Sequence, residues 1–436
     1  VKKICDKFTD IKQRKEGEDK SRHESKGEKK KMEKRVKRAV IALCAGAGLL
    51  FTAAGYYGSH IPDSFYVEPG EKLELSMYPH IEQTPSYLAA AAVNQVYPQT
   101  RQVSLSLFGV IPIKDVEVHC SQAPILTAGG TPFGVKLLMD GVMVIRVEKV
   151  ETEDGEKQPA ADGGIQKGDI IRYINDQSVM SNKEIQKIID GSGGQKLKVT
   201  VNRGGNEYET YVTPVYSKLR HGYCAGMWVR DSIAGIGTVT FVDRESGSFA
   251  GLGHPICDSD TGEIVPISSG EAVPVQISGV VKGKTGVPGE LEGYFTTEEP
   301  MGILRENNKC GVYGELTSAA RTIYSGKEYK MGYKQDVHEG KATILTTIDG
   351  SIAKEYSIEI KQVDYSSSDS TKNMVIEITD KELLEKTGGI VQGMSGSPII
   401  QDGRLIGAVT HVFVADSSQG YGIFAENMYD YMGAEK

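Results

Sequence analysis

Three kinds of hydrophobic pattern succeed one another along the chain. Residues 1–38 are polar and charged with almost no apolar cluster, which predicts a segment without a packed core. Ala39–Tyr57 follow as 19 residues without a charge, about the length of a helix that crosses a bilayer. Beyond them short period-two runs dominate. Arg101–Phe108 alternates apolar and polar, and Val110–Ile113 and Val116–His119 continue in kind, predicting strands in a connecting region of residues 58–121. Further strand signals lie at Val142–Val147, Leu197–Val201, Tyr208–Val212, Gly235–Val242 and Tyr356–Val363. Asn182–Ile189 is the exception, placing Ile185, Ile188 and Ile189 on one helical face. Thr379-Asp-Lys-Glu382 before Leu383-Leu384 is a capping box that opens a short helix, and Gly388-Gly389 ends it.

The densest signal is Gly389–Thr410. Ser395 lies between Gly393 and Gly396, Pro398 starts an apolar run, and Asp402-Gly403 joins it to a second one. An Asp-Gly pair in that setting predicts a two-residue hairpin, because both central positions take positive φ. Ser395 is thereby presented on a tight loop whose backbone N–H groups can hold a developing oxyanion. The plain alternative is a turn made of turn-forming residues.

Charge and composition narrow the class. Residues 1–38 carry 16 Lys/Arg against 8 Asp/Glu, a tail of +8, while the net charge of −8 leaves −16 on the remainder. So acidic a body argues against a nucleic-acid partner. Lys34, Arg35, Lys37 and Arg38 precede the apolar segment and Tyr56-Tyr57 follow it, which orients the body outside the cytoplasm. A cleaved signal peptide is the competing reading, and the long charged leader favours an anchor. Glycine at 51 of 436 residues, against about 7% ordinarily, fits a turn-rich β protein. The six cysteines lack Cys-x-x-Cys spacing, and His254-x-x-Cys257-Asp258 has no partner at ligand spacing, so no metal or other cofactor is expected.

A serine hydroxyl needs an imidazole to take its proton, and the imidazole a group that fixes its tautomer. His254, between Gly253 and Pro255 at a strand end, precedes Ser395 by 141 residues, the order His then Ser of chymotrypsin-like enzymes. His411 is the reserve base. The carboxylates Asp258, Asp336, Asp349, Asp364, Asp369 and Asp380 all lie between His254 and Ser395, and spacing does not choose among them.

Three resemblances add to this. Gly163-Gly-Ile-Gln-Lys-Gly168-Asp169-Ile-Ile-Arg-Tyr-Ile174-Asn175 resembles the Gly-Asp segment of PDZ domains, which implies a PDZ domain over residues 122–214 with Asn182–Ile189 as groove helix. Gly130, Thr131, Pro132, Phe133 and Gly134 resemble its carboxylate-binding loop. The loop Gly393-Met-Ser395-Gly-Ser-Pro398 resembles the nucleophile loop of chymotrypsin-like peptidases, implying an oxyanion hole of the Gly393 and Ser395 N–H groups. With an anchor, a PDZ domain and Gly251-Leu-Gly-His254-Pro-Ile in that order, the chain resembles the SpoIVB family of sporulation signalling peptidases.

That resemblance implies a mainly β fold: a charged cytoplasmic tail (1–38), a transmembrane signal anchor (39–57), the connecting region, the PDZ domain and a chymotrypsin-like double β-barrel peptidase domain (215–436). It implies His254, Asp380 and Ser395 as triad and self-cleavage near the N-terminus. The implied protein substrate is a membrane-anchored regulator of an intramembrane protease, cut in the forespore intermembrane space to release a sigma factor. The PDZ groove would take peptide C-termini or the chain's own N-terminal segment. An HtrA-like envelope protease, whose PDZ follows the peptidase, and a catalytically silent PDZ adaptor are the alternatives.

Overall fold

The computed structural model describes residues 32, 34–69, 73, 75, 78, 80–84, 100–284, 286–297, 299–323, 326–365 and 367–432, and most of the expected tail lies outside them. The chain divides into two compact units. The first holds helix α1 (Lys34–His60), long and apolar enough to cross a membrane, with Leu43, Leu49 and Phe51 exposed along it. It also holds an antiparallel pair in which Ile81–Thr84 lies against Ser104–Leu107, Ile81 opposite Leu107.

The second unit contains two closed barrels. Strand β1 (Pro132–Val147) and helix α2 (Asn182–Gly191) precede β2 (Met227–Val242), β3 (Ser248–Gly251) and β4 (Ile267–Val281) along the chain. The first barrel runs from β1 to β2 to β3, then Gly311–Leu316, Gly302–Asn308, β4 and back to β1. Numbered along the chain, its strands neighbour one another in the order one, two, three, six, five, four. Phe133, Val135, Leu137, Val239, Phe249, Leu252, Ala272 and Leu304 fill it.

The second barrel repeats that order. Gly340–Thr346 pairs with Lys354–Val363, which pairs with β5 (Met374–Ile378); helix α3 (Lys381–Thr387) follows, then β6 (Pro398–Gln401), β7 (Arg404–Val412) and β8 (Gln419–Phe424). β5 pairs with β8, β8 with β7, β7 with β6, and β6 closes on Gly340–Thr346. Its core is aliphatic, with Ile344, Ile358, Ile376, Ile399, Ile406 and Val409. At the β6–β7 turn Asp402 and Gly403 have φ of 49° and 75°, the doubly positive turn expected from the pair.

The PDZ fold sits between strands one and two of the first barrel, and this corrects the expected boundaries. β1 and β2 are single long strands paired with each other at both ends: Phe133–Leu138 with Ser232–Gly237 in the barrel, Met143–Val147 with Met227–Arg230 in the PDZ fold. The PDZ core of Val142, Val144, Ile165, Ile171, Ile185, Val199 and Ala225 therefore begins after Asp140-Gly141 and reaches past residue 214. Its Gly168-Asp169 signature has a concrete task. The carboxylate of Asp169, wholly buried, accepts from Arg203 at 2.6 and 2.7 Å and from the Gln166 N–H at 2.8 Å, pinning the loop to the neighbouring strand.

Gly130–Gly134 is accordingly not a carboxylate-binding loop. Phe133 is fully buried, edge-on to Phe249 at 6.0 Å, and Gly130 packs against Leu345 and Ala353. The PDZ cleft is instead lined by Asn182, Ile185 and Ile189 of α2 and by Gly226–Val229. Phe133→Ala is expected to lower unfolding free energy by about 3–5 kcal/mol while leaving peptide affinity of the remaining folded protein unchanged. Calorimetric unfolding beside a peptide titration checks both, and a groove residue would give the opposite pattern.

Candidate active site

Ser395 and His254 reach one place from the two barrels. His254 follows strand three of the first barrel, on the segment Leu252–Gly253 that turns with φ of 68° and 70°. Ser395 precedes strand four of the second. The loop between needs glycine at its flanks: Gly393 and Gly396 have φ of 96° and 95°, and a Cβ on Gly396 would lie 2.2 Å from the Thr238 carbonyl and 2.5 Å from the Leu252 nitrogen. Residue 396 thus touches the segment that carries His254.

Thr410 is the common neighbour. Ser395 Oγ donates to the Thr410 carbonyl at 2.6 Å, and the Thr410 methyl lies 3.0 Å from where a Cβ on Gly253 would stand. The next residue, His411, faces His254 with ring centroids 4.8 Å apart. A hydroxyl has one proton, so in this resting arrangement Ser395 does not donate to His254; rotation about its χ1 is needed first. Within the loop the N–H groups of Met394, Gly396 and Ser397 bond to Val391, Val409 and Met394, while among the described residues that of Ser395 has no backbone partner.

His254 Nδ1 lies 2.8 Å from the Pro255 carbonyl. A carbonyl only accepts, so Nδ1 carries the proton and Nε2 is left with a lone pair, the tautomer a general base requires. Burial pulls the imidazole below the usual histidine range, against the Pro255 hydrogen bond. His411 keeps an outer edge exposed, yet desolvation, then the facing His254 and Lys372, pushes it down to about 4, with Asp369 pulling the other way.

Asp380 does not join this group. It is the N-cap of α3, its carboxylate accepting from the Leu383 N–H at 3.0 Å and the Ser357 N–H at 3.4 Å. It lies beyond one end of β5, whereas Asn373, bonded to Gly422 beside the Val409 ladder, stands before the other end. A strand rise of about 3.3 Å per residue separates the two by roughly 20 Å. The expected triad carboxylate is thus the N-cap of α3, which begins one residue later than a capping box on Thr379 would have it.

The remaining acids fare differently. Asp258 is buried, paired with Arg230 and accepting from the Asp260 and Thr261 N–H groups. Asp369 stands beside the pair of histidines, since Thr371, which it holds at 2.7 Å, accepts at its carbonyl from Thr410 Oγ1 at 2.8 Å. Its other oxygen is held by Lys372 at 2.9 Å, and its carboxyl is brought down to about 2 despite desolvation, chiefly by that Lys372 contact. His411, read as a wall residue or reserve base, sits in the centre. Its place one residue after Thr410 on a strand of the nucleophile hairpin was the available signal.

Two barrels of one strand order, a histidine after strand three of the first and a glycine-bracketed serine before strand four of the second, define a chymotrypsin-like serine endopeptidase. Residues 221–429 match the family model described as SpoIVB peptidase S55 and residues 154–203 match that of a PDZ domain. The chain thus carries the PDZ-plus-peptidase architecture that its resemblance to the SpoIVB peptidases implies. A search of curated proteins returned no match. Among solved structures, the Rv3671c protease from M. tuberculosis in its active form is 13% identical, covering 47% of this chain and 76% of that one, with TM-score 0.29. The HtrA-type protease AlgW with decapeptide is 10% identical over 46% of this chain and 52% of that one, TM-score 0.27. The PDZ domain of the SdrC-like protein Lmo2051 from Listeria monocytogenes is 23% identical over 21% of this chain and 87% of that one, TM-score 0.18.

Two measurements follow from the geometry. Asn caps a helix as well as Asp does, so Asp380→Asn is expected to keep both stability and kcat within a few-fold. A triad carboxylate would instead lose kcat by a factor on the order of 10⁴. The second concerns pH. A histidine held neutral in the folded state binds fewer protons than in the unfolded chain between its folded value, about 4 for His411, and its ordinary value of 6.5. Stability is therefore complete above 6.5 and declines as pH falls from there toward 4. His411→Gln is expected to flatten that part of a plot of Tm against pH.

Proposed function

We propose that this peptidase works outside the cytoplasm, tethered by α1, and cuts both its own N-terminal region and a membrane-anchored regulator of an intramembrane protease. That second cut would license processing of a sporulation sigma factor, in the forespore intermembrane space. The match of residues 221–429 to the SpoIVB peptidase model supports the signalling role, the apolar helix supports tethering, and the cleft between α2 and Gly226–Val229 supports capture of a peptide terminus, from the regulator or from the chain's own leader.

The observation that carries the chemistry is the convergence of Ser395 and His254 on Thr410–His411 at the meeting of the barrels. Ser395 Oγ leaves the Thr410 carbonyl and gives its proton to His254 Nε2 as it attacks the scissile carbonyl. The Ser395 N–H, unpaired within the backbone, and that of Gly393 receive the oxyanion. The protonated His254 then donates to the leaving amine, and water repeats the sequence to free the acyl group. The Pro255 carbonyl holds the imidazole's tautomer throughout.

Ser395→Ala is expected to cut cleavage of labelled casein and of the chain's own N-terminal region by a factor on the order of 10⁴ to 10⁶, with unchanged circular dichroism. In a spore-former lacking its own enzyme of this kind, the parent chain should restore sigma-factor maturation and the Ala variant should not. Persistent casein cleavage by the variant removes the peptidase chemistry; casein cleavage without maturation removes only the signalling role.

A further inference from the structure

Three carbonyl oxygens of the nucleophile loop point across the seam into β2. The Thr238 N–H donates to the Ser395 carbonyl at 3.1 Å, the Thr238 hydroxyl to the Gly393 carbonyl at 2.7 Å, and the Thr240 hydroxyl to the Gly396 carbonyl at 2.8 Å. Both threonines are buried, at 1% and 0% exposure. Their side chains sit two apart on one strand, hence on one face of it. They reach residues 393 and 396, the two positive-φ positions that bracket Ser395.

A loop bent by two residues at positive φ has several ways to orient its peptide planes, and the choice decides where its N–H groups aim. Fixing the carbonyl of Gly393 and that of Ser395 on the first barrel fixes the 393–394 and 395–396 peptide planes, the two that flank the peptide carrying the Ser395 N–H. The carbonyl of that middle peptide, Met394, accepts from the Ser397 N–H at 2.9 Å, so the Ser395 N–H on its opposite side points away from the turn. We propose that Thr238 is a positioning residue for catalysis: its hydroxyl and its N–H hold the nucleophile loop in the orientation that forms the oxyanion site. Thr240 anchors the far side of the same loop. The inference rests on Ser395 being the nucleophile, and extends that reading to a residue of the opposite barrel.

Thr238→Val keeps the branched shape and the backbone N–H and removes only the hydroxyl. Thr238→Ser keeps the hydroxyl. The test uses the full chain in detergent, with p-nitrophenyl acetate as substrate and a peptide boronic acid as mimic of the tetrahedral species. The Val variant is expected to lose kcat on the order of 10²-fold, the scale of a misplaced catalytic group, with KM close to the parent and Tm lower by only a few degrees as the Gly393 carbonyl loses its donor. Boronate affinity should fall in parallel, and the Ser variant should restore both. Parental kcat and boronate affinity in the Val variant overturn the proposal. So does a loss that tracks a lowered Tm and is no smaller in the Ser variant, which marks a merely structural threonine. If Ser395→Ala still hydrolyses the ester, the nucleophile assignment itself fails; if Ser395→Ala is inert and Thr238→Val is parental, only the positioning role does.

Discussion

Backbone carbonyls buried at the meeting of the two barrels are the constraint on which the site depends. A loop tight enough to present Ser395 cannot pair its own C=O groups in a ladder, and a buried carbonyl without a donor costs about 1–3 kcal/mol. The donors here come from the other barrel, through Thr238 and Thr240. Approach this close leaves no room for a side chain at residue 396, where a Cβ would strike the Thr238 carbonyl and the Leu252 nitrogen. The glycine of the motif and the threonines of β2 are therefore one requirement seen from two sides. The nucleophile loop acquires its shape only when both barrels are closed.

β2 has a second duty at its other end. Its residues Met227–Val229 form one wall of the PDZ cleft, and eleven residues further along the same strand stands Thr238. β1 pairs with it at both ends, Val147 opposite Met227 and Pro132 opposite Thr238. An inserted domain joined by flexible linkers would be free to turn; one carried on a continuous two-stranded ribbon is held in a set direction, with interruptions only at the register shifts near Trp228 and Asp231. The SpoIVB peptidase match, which starts at residue 221, accordingly takes in the whole of β2, the strand that serves both folds.

Much of the site was legible because its signals are local. Asp402-Gly403 marked its hairpin, Gly168-Asp169 its loop, and Gly393 and Gly396 the bend at Ser395, each through a backbone conformation that few residues adopt. The domain boundary was hidden for the opposite reason. Gly130–Leu137 is an apolar stretch that suits a barrel as well as a PDZ sheet, and nothing local tells which partner strand it takes. Asp380 illustrates the same limit for chemistry. The short helix is a local fact and holds, although its N-cap is Asp380, which takes the Leu383 N–H, and not Thr379 of the expected capping box, whereas proximity to His254 is a tertiary fact that spacing does not contain.

What replaces the carboxylate has consequences for the enzyme's strength. In a triad the acid does two things: it fixes the tautomer and it stabilises the imidazolium. Here the Pro255 carbonyl supplies the first, at 2.8 Å. A neutral carbonyl gives far less of the second, and the surroundings do not make up the difference. Burial disfavours charge on His254, and the facing His411, its own basicity depressed to about 4, is neutral at pH 7. Asp369, beside His411, is already bound to Lys372 and Thr371. Each proton taken from Ser395 therefore creates a charge that the site supports weakly, which raises the barrier compared with a carboxylate-backed base. A high barrier is a handicap for bulk degradation, but costs little where one captured substrate is cut once, and it protects neighbouring proteins from adventitious cleavage.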